Sequence, residues 1–172
     1  MTAPVWPGGV EFAGGLRLAV CPWSAATYSA HFAPFHYLDG PLSRGARAWL
    51  VYLPMPMAPV AFDATIPFKG ACGRGKWQES RLVVLPHFRG RGIGIALSEW
   101  VGEYHRSRGE RMYSTTRNWQ LGQVRDRSPR WRPTRWNGAA RAVEHSHSVP
   151  GHSGVIRYCH EYVGLTTAEQ PP

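Results

Sequence analysis

The chain has 172 residues, enough for one domain of ordinary size and not for two. Hydrophobic residues at 43% and charged residues at 18% exclude a disordered chain, and no apolar run approaches the roughly 20 residues of a membrane span. Twenty Lys plus Arg against eleven Asp plus Glu leave a net charge of +9, which fits a polyanionic partner. Eighteen of those cations are arginine, the side chain that holds phosphate in a bidentate fork, although a coding bias toward arginine gives the same count. Cys21, Cys72 and Cys159 are odd in number and stand in no metal-binding spacing, so free thiols are expected. Met1–Val10 has neither a basic leader nor an apolar core, which predicts a cytoplasmic location.

Residues 1–14 read as an N-terminal extension, 15–164 as the domain and 165–172 as a flexible tail. Leu16–Val20 predicts a first strand, and Pro22–Phe35 a mixture of helix and loop. Ala48–Leu53 and Val60–Phe68 form a hairpin whose turn holds Pro54, Pro56 and Pro59. Gly70–Gly75 is a flexible connection. Ser80–Leu85, with its unbroken run from Leu82 to Leu85, predicts a central strand covered on both faces and stopped by Pro86. Ile93, Leu97, Trp100, Val101 and Tyr104 fall at helical spacing through about Arg108, Gly109 is a C-terminal cap, and Arg111–Thr116 is a further strand. From Arg117 to Arg141 seven arginines stand against Asp126 alone, a net charge of +6. His145, His147 and His152 lie among small residues and read as an ordinary loop before a last strand over Val155–Val163.

The segment His87–Gly94 makes a strand, glycine-rich turn and helix. Such a turn exposes unpaired N–H groups at the positive end of the helix dipole, where an anion belongs. Gly90, Gly92 and Gly94 admit a diphosphate without a Cβ in the way, and Arg89 and Arg91 add charge. The phosphate-loop motif with its Gly-Lys-Ser/Thr ending is absent, and the glycine spacing is wrong for a dinucleotide-binding turn.

Arg89-Gly90-Arg91-Gly92-Ile93-Gly94 resembles the Arg/Gln-x-x-Gly-x-Gly/Ala signature of the GNAT acyltransferase superfamily, and Arg81–Pro86 resembles that family's fourth strand. The resemblance covers about residues 15–163 and implies a single α/β domain with a mixed, largely antiparallel sheet and flanking helices. It implies acetyl-CoA or a related CoA thioester as donor. The backbone of Val83 and Leu85 would hold the pantetheine arm, and Arg89, Gly90, Arg91, Gly92, Ile93 and Gly94 the diphosphate. Glu79 stands near the place of the family's proton-relaying glutamate, and Ser114, Thr115 and Thr116 near the leaving group; a solvated strand-edge carboxylate and a plain polar strand end are the alternatives.

Phe35-His36-Tyr37-Leu38 resembles the His-Tyr pair of the phage DNA-modifying Mom branch of that superfamily. That resemblance implies transfer of a glycinamide-type group to adenine N6 with His36 and Tyr37 at the chemistry, and it admits iron, held by His36, Tyr37 and Asp126. The alternative is an amphipathic helix end with His36 in the core. Independently, Arg127, Arg130, Trp131, Arg132, Arg135 and Trp136 interleave charge with flat rings, the composition that grips a nucleic-acid backbone and holds a base flipped out of duplex DNA. The leading expectation is a GNAT-type transferase acting on a nucleobase amine in DNA. A conventional N-acetyltransferase of a small amine or protein is the second, and an inactive nucleic-acid-binding GNAT module the third.

Overall fold

A computed structural model describes residues 10–21, 24–37, 40–68, 73–139 and 156–165. Among them one sheet of eight strands runs in the order β1-β2-β3-β4-β5-β6-β8-β7. The strands are β1 (Val10–Phe12), β2 (Leu16–Val20), β3 (Arg47–Pro54), β4 (Met57–Pro67), β5 (Lys76–Val84), β6 (Arg111–Thr116), β7 (Trp131–Pro133) and β8 (Tyr158–Tyr162). Every pairing is antiparallel except β5 with β6, where the crossover helix α2 (Ile93–Ser107) requires a parallel one. This is the single-domain, mixed, mostly antiparallel α/β architecture expected.

The sheet starts earlier than expected, because Val10–Phe12 pairs with Leu16–Leu18 inside the assigned extension. The three-proline turn resolves into a tight connection, with Pro54 opposite Met57 and Pro59 within β4 at an irregular register. Strand β5 also begins four residues before the expected Ser80. Lys69, Cys72 and the histidines at 145, 147 and 152 lie outside the described residues, as does the tail from 166.

Both faces of the sheet are covered. Leu18, Trp49, Val51, Ala61, Leu97, Val101 and Met112 form the core under α2, and Tyr28, Phe32, Leu50, Phe62, Ala64 and Val83 form the core on the other face. The second is roofed by α1 (Ser24–Thr27) and the wide and tight helical turns that continue it to Phe35. Helix α3 (Trp119–Arg127) joins α2 on its face, capped by Asn118, whose Oδ1 accepts from Leu121 N at 3.1 Å. Two glycines seat these helices on β8: a Cβ on Gly102 would lie 2.4 Å from the Tyr162 ring, and one on Gly122 2.1 Å from the Tyr158 ring. The basic segment therefore holds a helix that its sequence hides, since the face it presses on the sheet is Gly122 and Arg125 rather than apolar side chains.

Candidate functional site

Leu85 N donates to Val60 O at 3.0 Å, so the strand stays in the sheet to the edge of the turn. A single tight turn over Pro86–Phe88 follows, and Arg89 Nε donates back to Val84 O at 2.9 Å. Gly90 and Gly92 take φ of +76° and +75°, the left-handed region that side chains disfavour. Gly92 caps α2, and a Cβ on Gly94 would lie 3.2 Å from Val84 Cγ2, so the helix opens close against the strand. Its first N–H groups have no helical partners, an arrangement that suits an anion.

Ladder pairing between β5 and β6 ends at Gln78 opposite Tyr113, and beyond that rung the strands part. The gap opens a cavity of about 510 Å³ that runs from Glu79–Val84 past Thr115 and Thr116 to the glycine turn, with Phe35, His36 and Tyr37 as one wall and Asn118, Gln120 and Leu121 as another. A second cavity of about 300 Å³ is lined by Tyr37, Ile66, Gln78, Arg117 and Arg157. The two share Tyr37, Glu79, Ser80, Thr115 and Thr116, so a group in one can reach a group in the other through the gap. The structure thus brings His36, Tyr37, Val83 and the glycine turn to one cavity. His36 and Tyr37 stack with ring centroids 4.7 Å apart.

Glu79 and Ser114 are placed differently from the expectation. Thr65 pairs with Glu79 and Ala64 with Arg81, so Ser80 is a bulge and the strand's faces exchange there. Glu79 therefore points under α2. Its Oε1 accepts from Ser98 Oγ at 2.5 Å, its Oε2 from Ser114 Oγ at 2.5 Å, and Arg125 Nη2 lies 2.9 Å from Oε2. Arg125 also donates to Ser114 Oγ, and its guanidinium stacks 4.2 Å from the Trp131 ring centre. A carboxylate so fully engaged has no oxygen free to take an acceptor's proton, and Ser114 is sealed beside it rather than at the leaving group. Asp63 is buried next to them with both oxygens unpaired. Burial, and then the charge of Glu79, push its carboxyl well above the usual range.

The basic segment divides. Arg125 is buried, Arg132 pairs with Glu161 at 2.7 Å, and Arg130 lies 3.7 Å from Glu99. Trp131 is only 4% exposed, so its ring belongs to the core and offers no face to a base. Arg141 is outside the described residues. Arg117, Arg127 and Arg135 carry no acidic partner among the described residues, and Trp119 and Trp136 are exposed, Trp136 under Arg135 at 4.8 Å. Arg81 and Arg157 also line these cavities; as a strand position and an isolated arginine before β8 they carry no motif in the sequence.

The iron set does not assemble. Asp126 Oδ1 accepts from Asn137 Nδ2 at 2.9 Å and faces His160 Nε2 at 2.8 Å, and it lines neither cavity. No group of three metal-ligating side chains occurs among the described residues. Nor is any described helix long and apolar enough to cross a membrane.

No protein-family model matches the chain, and no curated protein matches it in sequence. Solved structures match in shape. The chain superposes on a Bacillus subtilis acetyltransferase in complex with CoA with a TM-score of 0.58 at 12% identity, over 88% of this chain and 99% of that one. For the ribosomal-protein-S18-alanine N-acetyltransferase of Escherichia coli the TM-score is 0.58 at 11% identity, over 91% and 99%. For the spermidine/spermine N-acetyltransferase SpeG of Vibrio cholerae, solved with manganese ions, it is 0.59 at 9%, over 87% and 92%. At these identities the likeness establishes the fold, which is that of the GNAT acetyltransferases.

Proposed function

We propose that the chain is an N-acyltransferase that takes a CoA thioester in the larger cavity and transfers the acyl group to the exocyclic amine of a nucleobase in DNA. The donor half of this reading is supported by the fold, by the CoA-bound neighbour and by the turn. Residues 89–94 would hold the diphosphate and the β5 backbone at Val83 and Leu85 the pantetheine arm. The thioester supplies an activated carbonyl: the amine nitrogen bonds to its carbon as the C–S bond breaks, and the amine proton ends on the departing thiolate.

The acceptor half rests on one observation. The smaller cavity is flanked by Arg117 and Arg157, and the sole acid lining either cavity, Glu79, is consumed by Arg125 and two serines. A polyamine or lysine amine is cationic at neutral pH, with an unperturbed lysine pKa of about 10.4, so it needs both an attractive carboxylate and a base before it can attack. This mouth repels such a cation. A nucleobase amine is uncharged, needs no prior deprotonation, and brings phosphates that two arginines would hold. The His36–Tyr37 stack gives an unstacked base a wall to lie against. Release of CoA thiol from acetyl-CoA or succinyl-CoA, measured with single- and double-stranded oligonucleotides, spermidine and a lysine peptide in parallel, tests the reading. Release that depends on an oligonucleotide is expected; release with spermidine or peptide and none with DNA overturns it.

A further inference from the structure

Seven Asp, Glu, His or Arg side chains among the described residues are buried: Asp63, Glu79, Arg81, His105, Arg125, His160 and Glu161. Burying a charge is costly unless an opposite charge accompanies it. Glu79 and Arg125 have each other, Glu161 has Arg111 and Arg132, His105 has Glu110, and His160 has Asp126. Asp63 is pushed toward its neutral form by burial. Arg81 alone has no acid within ion-pair distance among the described residues.

Its partners are neutral. Arg81 is 9% exposed, its Nε donates to the Tyr28 hydroxyl at 3.1 Å, and its Nη1 donates to Ser80 O at 3.0 Å and Ser80 Oγ at 3.2 Å. These bonds fix the fork's direction and leave Nη2 unused. The fork lines the larger cavity and is absent from the smaller one, where Arg117 and Arg157 stand. Different arginines thus line the two cavities. Along the strand, Arg81 lies four residues before Leu85, about 13 Å from the point where the chain leaves the sheet for the glycine turn. An arm that starts at the turn and follows β5 ends beside it.

We infer that Arg81 binds the acyl end of the donor and that this acyl group ends in a carboxylate, as in the half-thioester of a dicarboxylic acid. The inference rests on the reading that the donor occupies the larger cavity. A terminal carboxylate supplies in the bound state the counter-charge that the protein withholds, and the fixed fork meets it with a charge-assisted hydrogen bond. Transfer then carries the carboxylate to the acceptor amine: the amide C–N bond forms, the C–S bond breaks, and the proton leaves with the thiol.

Calorimetric titration of CoA, acetyl-CoA and succinyl-CoA into the wild-type chain and into Arg81→Met and Arg81→Lys tests this. Wild type should bind succinyl-CoA about tenfold or more tighter than acetyl-CoA. Arg81→Met should abolish that preference while CoA itself binds within about twofold of wild type, which also certifies the variant's fold, and Arg81→Lys should keep part of the preference. Equal affinities in wild type, or a preference that survives Arg81→Met, overturns the inference and leaves the donor reading intact. Failure of all three ligands to bind wild type overturns the donor reading and this inference with it.

Discussion

At the scale of single residues, the carboxyl of Asp63 sets an unusual pH dependence. It lies on β4 under α2 with both oxygens unpaired, and burial first, then the charge of Glu79, raise its pKa from 3.8, with Arg125 offsetting part. A folded-state value above the unfolded one means that folding takes up a proton. The stability this group contributes is full below pH 3.8 and is lost as pH rises through the raised value. His105 has the opposite sign, since burial lowers it from 6.5, and its contribution is lost as pH falls below that value. Replacing Asp63 with Asn keeps the shape and removes the titration. Thermal melts should show Asp63→Asn more stable than wild type at pH 8, with the difference shrinking toward pH 4. A difference that stays constant over that range contradicts a buried, titrating Asp63.

At the scale of elements, the point where β5 and β6 part is held by one side chain from each of four elements: Glu79 of β5, Ser98 of α2, Ser114 of β6 and Arg125 of α3. Glu79 and Ser114 stand just past the last ladder rung, so the cluster braces the cleft and ties α3, which lines the cavity, to α2. Arg125→Met leaves the Glu79 carboxylate buried without its cation and should cost about 3–5 kcal/mol in urea unfolding. Adding Glu79→Gln should recover part of that loss. A cost below about 1 kcal/mol for Arg125→Met would show that the cluster does not brace the cleft.

These elements were legible in the sequence to different degrees. The strand, glycine turn and helix from Leu82 to Ser107 carry a continuous apolar run, special backbone positions and a helical period, so their positions emerge from the pattern. Helix α3 carries no such period, because a glycine and an ion-paired arginine do the packing that leucines do elsewhere. The resemblance puts Glu79 near the place of a proton-relaying glutamate, which fixes its position along the strand and not the face it takes. One bulged residue, Ser80, turns the Glu79 side chain under α2, and only the pairing reveals the bulge.

At the scale of the whole molecule, many of the arginines are engaged by groups of the fold itself. Arg125 belongs to the core, and Arg47, Arg106, Arg111, Arg130 and Arg132 pair with acids, so the raw count of positive residues overstates the charge available to a partner. What remains unpaired among the described residues includes Arg117, Arg127, Arg135 and Arg157, on α3 and its flanks and at the smaller cavity. Exposed Trp119 and Trp136 lie along the same stretch. The larger cavity, with the glycine turn at one end, and the smaller cavity, bordered by Arg117 and Arg157, share lining residues and form one continuous path. Mass spectrometry of nucleosides digested from the DNA of cells that express the chain, beside cells that express an Arg89→Ala, Gly92→Asp variant, tests this account most directly. The account predicts a nucleoside heavier by an acyl group with the wild-type chain and none with the variant. Unmodified nucleosides despite equal expression, with acylated polyamines or proteins in their place, would contradict it.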